Sequence, residues 1–177
     1  MVKFEICSGK PEWSRFTDFY LEHRERIIPG YPVINALMDV KSYALHGRGA
    51  ILTDDAGQVI GIGGFVLGLS EEKYSHKEIA VLANAYFLEE FQGNRTFVRG
   101  LQVLAEQIRD AGPEVKEVRL PTAAGNAYTN RLYGKIAKRF RSYDTPYGPF
   151  HEYSTSYDSF VSFCGRFDRQ THGKNHR

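Results

Sequence analysis

The pattern of apolar and turn-forming residues in this 177-residue chain predicts a single α/β domain, a mixed and mostly antiparallel sheet flanked by helices. Three observations predict it. Residues 78–88, EIAVLANAYFL, are apolar on both faces and read as a central strand. A helical pattern and then another strand follow, which makes a parallel crossover over residues 78–120. Elsewhere, turn residues between apolar runs give hairpins, and an aromatic content of 14% favours a substantial sheet.

The elements follow in order. Residues 2–8 carry Val, Phe and Ile at near-alternate places and read as a short strand. Lys10-Pro11 opens a helix, because Pro suits the first turn, and Trp13, Phe16 and Tyr20 form its apolar face. The segment IIPGYP at 27–32 ends it. A second helix has Val33, Leu37, Val40 and Ala44 as its expected apolar stripe and stops at His46-Gly47. Strands at 49–53 and 59–69 are joined by the turn Asp54-Asp55-Ala56-Gly57. The second holds Gly61, Gly63 and Gly64, which weaken a strand unless backbone or a ligand comes close. After a polar loop at 70–75 and the central strand comes the turn EEFQGNR, then a helix over 96–111 with Phe97, Leu101, Leu104, Ala105 and Ile108 on one face. Gly112-Pro113 stops it. A strand at 115–120, a helix from Asn126 to about 139, a short strand at 140–143, a loop at 144–150 and a last strand at 152–163 complete the chain.

Composition bounds the function. The net charge of +2 is too small to argue for a nucleic-acid partner. From Gly165 onward Arg166, Arg169, Lys174 and Arg177 face one Asp168, so 1–164 is the expected domain and 165–177 a basic, unstructured tail. No apolar run is long enough for a membrane span and the first residues lack the apolar stretch of a signal peptide, so a cytoplasmic location is expected. Cys7 and Cys164 have no framework spacing and read as two thiols in a reducing compartment. No metal site is expected: His172 and His176 have ligand-like spacing, but Gly173 and the tail context argue against a rigid centre.

Two segments carry chemistry. EEFQGNR joins a buried strand to a helix N-terminus, where unpaired N–H groups and the positive dipole end suit a phosphate. Gly93 permits close approach and Arg95 adds a cation. In NAYTNRLYGKIAKRF, Asn126 caps a helix and Tyr133 lies two turns along. A phenol at that place can act as a general acid toward a thiolate. Each segment alone is equally compatible with an ordinary turn and an ordinary half-buried tyrosine.

Together they resemble the GNAT acyltransferase superfamily over residues 1–163, most strongly over 78–140. Its first motif is a strand, then Arg or Gln, two residues, Gly, one residue, and Gly or Ala at a helix start; here the turn reads Gln92-Gly93-Asn94-Arg95-Thr96-Phe97. Its second is an Asn with a Tyr seven residues on and a Gly-Phe-like ending; here Asn126, Tyr133 and Arg139-Phe140. The resemblance implies an N-acyltransferase in which an acceptor amine attacks the thioester of acetyl-CoA, or of another acyl-CoA, directly. It implies that Gln92, Gly93, Asn94, Arg95, Thr96 and Phe97 line the CoA pyrophosphate. Tyr86, Phe87 and Leu88 would pair with the pantetheine arm, and Asn126 would hydrogen-bond the cofactor. Tyr133 would protonate the departing thiolate. Arg95 and Phe97 depart from the family's small residues: Phe97 either crowds the phosphates or turns into the core.

A base must take the acceptor's proton. Glu78 resembles the glutamate of the histone-acetyltransferase branch, provided that the strand carries a one-residue bulge; His76, His151 and Glu152 are the other candidates. Tyr143, Tyr147, Phe150, Tyr153 and Tyr157 are divided in expectation between core and acceptor pocket. Loops 26–35, 70–77 and 144–151 are expected to select the acceptor: a small-molecule, peptide or protein amine. Strand edges near the C-terminus suit a homodimer. The alternative from another class is a non-catalytic acyl-CoA-binding or regulatory module of the same fold.

Overall fold

The computed structural model describes the backbone of residues 2–92 and 95–172 and the side chains of 2–92 and 95–166. Seven strands form one sheet in the order β1-β2-β3-β4-β5-β7-β6. β1 (Lys3–Ile6), β2 (Gly47–Thr53), β3 (Val59–Leu69) and β4 (Ser75–Phe87) pair antiparallel in sequence. β5 (Glu117–Ala123), β7 (Gly148–Ser156) and β6 (Lys138–Thr145) form a second antiparallel group. The groups meet at the expected parallel crossover, where Ile79, Ala80 and Val81 pair with Glu117, Val118 and Arg119. Beyond those three pairs β4 and β5 part.

The helices cover both faces. α1 (Lys10–Ile27) and α2 (Val33–His46) pack on one, around Phe16, Phe19, Tyr20, Tyr43 and Tyr86. α3 (Arg95–Ala111), α4 (Ala127–Ile136) and α5 (Tyr157–His172) pack on the other, around Phe97, Leu101, Ile108, Leu120 and Phe160. Fully burying a side chain of this size contributes about 1.5–3 kcal/mol. Gly61, Gly63 and Gly64 of β3 serve close approach, and the groups that approach them are side chains. A Cβ on Gly61 would stand 2.2 Å from the Phe87 ring, and one on Gly64 would stand 2.8 Å from the Tyr43 ring. Both free thiols, Cys7 and Cys164, are buried.

Four expectations are corrected. The last strand was expected at 152–163, but β7 ends at Ser156 and α5 begins at Tyr157. Ser156 Oγ accepts from the Ser159 N–H at 3.1 Å, and Tyr157, Phe160 and Cys164 form a buried helical stripe. α5 continues to His172, so residues 165–172 are helical where an unstructured tail was expected; 173–177 lie outside the described residues. The stripe of α2 is also turned. Val33 and Leu37 are exposed, and the buried positions are Ala36 and Tyr43. Finally, 144–150 is no open loop: Thr145 pairs with Gly148 in a tight hairpin between β6 and β7. Among the described residues, no helix is long and apolar enough to cross a membrane.

Candidate functional site

The parting of β4 from β5 creates the site. Gly64 pairs with Asn84 while Val66 pairs with Val81, so β4 carries one extra residue there, the bulge that the Glu78 expectation required. The extra residue reverses the side-chain alternation. Val81 and Ala83 before it, and Tyr86 after it, all meet the α1–α2 side, as members of that core or as cavity walls. Leu88 N–H donates to Ile60 O at 2.9 Å, which makes Phe87 and Gly61 a non-hydrogen-bonded pair. By alternation, Ala85 and Phe87 turn their backbone groups to the open edge. The Phe87 carbonyl there accepts from Gln92 Nε2 at 2.7 Å.

Three cavities meet at this opening. A small one between the parted strands is lined by Asn84, Tyr86, Thr122, Asn126 and Tyr133. It shares Tyr86, Ala123 and Asn126 with a cleft of about 450 Å³ that also takes in Arg26, Gln92 and the start of α4. On the other side it shares Ala83, Pro121 and Phe150 with a cavity of about 430 Å³ between α2 and the β6–β7 hairpin. The two larger cavities also share Ile27 and Tyr147, so all three adjoin at the parted strands, between the α1–α2 loop and the β6–β7 hairpin.

The predicted site residues divide between these cavities and the core. Asn126 caps α4, its Oδ1 accepting from Thr129 N–H at 3.1 Å, because a short polar side chain at that place satisfies an otherwise unpaired donor. The buried Thr122 and Thr129 hydroxyls, 2.6 Å apart, join β5 to α4 behind it. Tyr133 is buried against Tyr153 and walls the small cavity; burial, with Tyr128 adding, pushes its phenol well above the ordinary value. Tyr86 and Gln92 line the cleft. Phe97 is turned into the core, 5.0 Å from Phe87 and 5.4 Å from Tyr128 between ring centres. Arg95 begins α3 as an exposed side chain, with Thr96 after it; Gly93 and Asn94 lie outside the described residues. Leu88 has its N–H taken by β3, which removes that group from the pairing expected of it.

Glu78 is a correction. It is half exposed, paired to His76 at 3.4 Å, and lines none of the three cavities. It precedes the bulge, where the strand is still clamped to β5, so it cannot face the opening.

The chamber by α2 contains groups that sequence reasoning missed. Asp39 Oδ2 accepts from Tyr20 at 2.8 Å and from Tyr31 at 2.7 Å. Burial raises its carboxyl above the usual range, the two phenol hydrogen bonds opposing that shift. Arg141 donates from Nε to Glu152 Oε2 at 2.9 Å and lies 3.5 Å from Glu71. Glu152, one of the alternative bases, is thus held in an ion pair with only 4% of its surface exposed. Tyr143, Tyr147 and Phe150 wall the chamber, while Tyr153 and Tyr157 belong to the core. All three loops expected to select the acceptor contribute lining residues: Tyr31, Glu71 and Tyr147 are examples. One signal for Asp39 was present: it is the lone carboxylate of α2.

No family model and no curated protein matches the sequence. The fold does match solved structures. The aminoglycoside acetyltransferase AAC(6')-Ib, in complex with coenzyme A and kanamycin, superposes with a TM-score of 0.66 at 14% identity, over 92% of this chain and 98% of that one. A GNAT-family acetyltransferase from Staphylococcus aureus gives 0.65 at 9% identity, over 88% and 99%. The ribosomal-protein-S18-alanine N-acetyltransferase from Escherichia coli gives 0.62 at 15% identity, over 88% and 94%. A sheet parted between its fourth and fifth strands, with these neighbours over almost its whole length, is the fold of the GNAT acetyltransferases.

Proposed function

We propose that the protein is an acyl-CoA-dependent N-acyltransferase that transfers an acetyl group to an amine. The observation that carries this reading is the parting of β4 from β5, with Asn126 and Tyr133 lining a small cavity there and two roomier cavities adjoining it. An acyl donor in one and an acceptor in the other would meet at the parted strands, which supplies the proximity that acyl transfer needs.

The residues present fit acyl-CoA. The open edge of β4 offers backbone groups of Ala85 and Phe87 to an extended pantetheine arm, as an added strand would. Gln92, Asn126 and Arg26 border the cleft in which the rest of the cofactor would lie. Asn84 is 3% exposed, and neither atom of its amide has a hydrogen-bond partner among the described residues. An orphaned buried amide at the point where the strands part is what a site built for a polar ligand leaves behind. Bound acyl-CoA supplies the activated thioester carbonyl.

The chain's own groups have separable tasks. The Ala85 N–H, fixed at the open edge, is the backbone donor placed to polarise that carbonyl. The Tyr133 phenol keeps its proton at any physiological pH and holds it at the small cavity for a departing thiolate. Desolvation raises phenols and thiols alike, so a raised phenol can still serve a thiolate that is buried beside it. The acceptor nitrogen gains the acetyl group and loses a proton; the sulfur loses the acetyl group and gains one. Glu78 has no part in this route.

Calorimetric titration with acetyl-CoA and with desulfo-CoA tests the reading. Micromolar binding of both is expected; absence of heat from either would overturn it. Tyr133→Phe then separates enzyme from binding module. Turnover, followed by thiol release, should fall by about 10²-fold with acetyl-CoA affinity retained. Unchanged turnover would remove Tyr133 from the chemistry.

A further inference from the structure

The chamber between α2 and the β6–β7 hairpin has an electrostatic character that identifies what it holds. Its titratable lining contains three carboxylates, Asp39, Glu71 and Glu152, against one cation, Arg141. Arg141 is engaged by both Glu152 and Glu71 and also stacks over Tyr143 at 5.2 Å and Phe140 at 5.5 Å. That group of three keeps a net charge of −1. On the opposite wall Asp39 has no cationic partner among the described residues. Both of its tyrosine donors reach Oδ2, which leaves Oδ1 open. A partly buried carboxylate compensated only by two phenols is an unfavourable arrangement unless a positive charge arrives.

The rest of the lining agrees. Tyr20, Tyr31, Tyr43, Tyr74, Tyr143 and Tyr147 surround the space. Ring faces attract an ammonium and repel an anion. Tyr31 and Tyr147 meet edge to face at 5.3 Å, and Asn35 Nδ2 donates to the Tyr147 hydroxyl at 3.2 Å, so the α1–α2 loop and the hairpin close over one end. The two anionic stations are thus on different walls of a cleft of small-molecule size that adjoins the small cavity between the parted strands. An independent observation marks that small cavity. Tyr43 lies beside Asn84 closely enough to interact, but not in hydrogen-bond geometry, so the amide stays unpartnered and faces the opening.

We propose that the acceptor is a small polycationic amine, with one ammonium held at Asp39, another charge facing the Glu71–Arg141–Glu152 group, and an uncharged primary amine presented beside Asn84. This rests on the acyl-transfer reading for its last clause only. Linear polyamines and amino sugars share that chemistry. In the transfer, the C–S bond of the thioester breaks as the C–N bond forms, and the amine proton is balanced by the one gained at sulfur.

The test measures binding to the whole protein loaded with CoA. Spermidine represents the linear class, kanamycin the amino sugars, with n-butylamine and glutamate as a monocationic and an acidic control. At least one polycation should bind about tenfold or more tightly than n-butylamine, and glutamate should not bind. Asp39→Asn should weaken that polycation by about tenfold while leaving acetyl-CoA binding and thermal stability in place. Should Asp39→Asn not fold, Glu71→Gln on the exposed loop reads the other station, and should weaken the polycation by about threefold without affecting n-butylamine. Equal binding of mono- and polycations, preference for glutamate, or indifference to both substitutions would overturn the proposal. Acetyl-CoA binding without polycation binding would sink this inference and spare the acyl-transfer reading. Polycation binding without acetyl-CoA binding would do the reverse.

Discussion

The two faces of the sheet are built from different materials. Under α3, α4 and α5 the core is dry: Phe97, Leu101, Ile108, Val118, Leu120 and Phe160 are buried at 2% exposure or less. Under α1 and α2 the core includes Tyr20, whose hydroxyl is tied to Asp39, and Tyr43, which stands beside Asn84. Both faces bury aromatic area, but only the second sets a buried carboxylate among tyrosines at a roomy cavity. A packed hydrocarbon face gives stability with nothing left to recognise. A tyrosine face gives up part of that stability for donors and acceptors fixed at the rim of a chamber.

The contrast can be broken most forcefully on the dry face. Phe160→Ala should cost about 3–5 kcal/mol of unfolding free energy by denaturant titration, because no solvent can fill the space left under α5. It should leave the ligand chambers unaltered. A cost below about 1 kcal/mol, the range of ordinary surface changes, would mean that this face is not the source of stability. Tyr20→Phe is the matching change on the other face. It removes one phenol from Asp39 at constant shape, and should cost about 1 kcal/mol. A loss as large as that of Phe160→Ala would erase the distinction between the faces.

The smallest effect is in pH. Asp39 is held above the usual carboxylate range in the folded state, so the folded protein keeps that proton where the unfolded chain has released it. Stability therefore declines as pH rises from the ordinary aspartate range through the raised folded value. Denaturation of the wild type beside Asp39→Asn should show the difference in favour of the variant growing over that window and constant beyond it. A difference that shrank with rising pH would place the carboxylate in a stabilising pair instead.

Legibility in the sequence followed the same division. β3 and α3 were readable to within a residue or two because glycine spacing and a strong 3.6-residue period are local properties. α5 was misread because Tyr157, Phe160 and Phe163 are aromatic, and aromatics at short spacing favour strand until the cap at Ser156 is recognised. The face of α2 was misjudged for a related reason. Its buried side is set by Tyr43 over Gly64 and by Asp39 against two tyrosines, contacts that no apolar count reveals. Of the site, Tyr86, Gln92, Asn126 and Tyr133 were legible, since each sits at a fixed offset from an element boundary. Asp39, Glu71, Arg141 and Glu152 come from four separate places in the chain, and only the tertiary fold brings them to one chamber. Glu78 has the bulge that its spacing required, but its side chain is half exposed beside His76 and lines none of the three cavities.

The three-pair seam between β4 and β5 has a mechanical consequence. Two stiff antiparallel plates, one of four strands and one of three, are joined along a line of only three residue pairs at one end. The helices make up for so short a seam: α3 packs on β2, β3 and β4 and against α5, which packs on β5 and β7, and the Tyr157 hydroxyl donates to the Ala105 carbonyl at 2.8 Å. The two plates are thus held to each other by helices on one face, which lets their strand edges stay apart where the cavities lie.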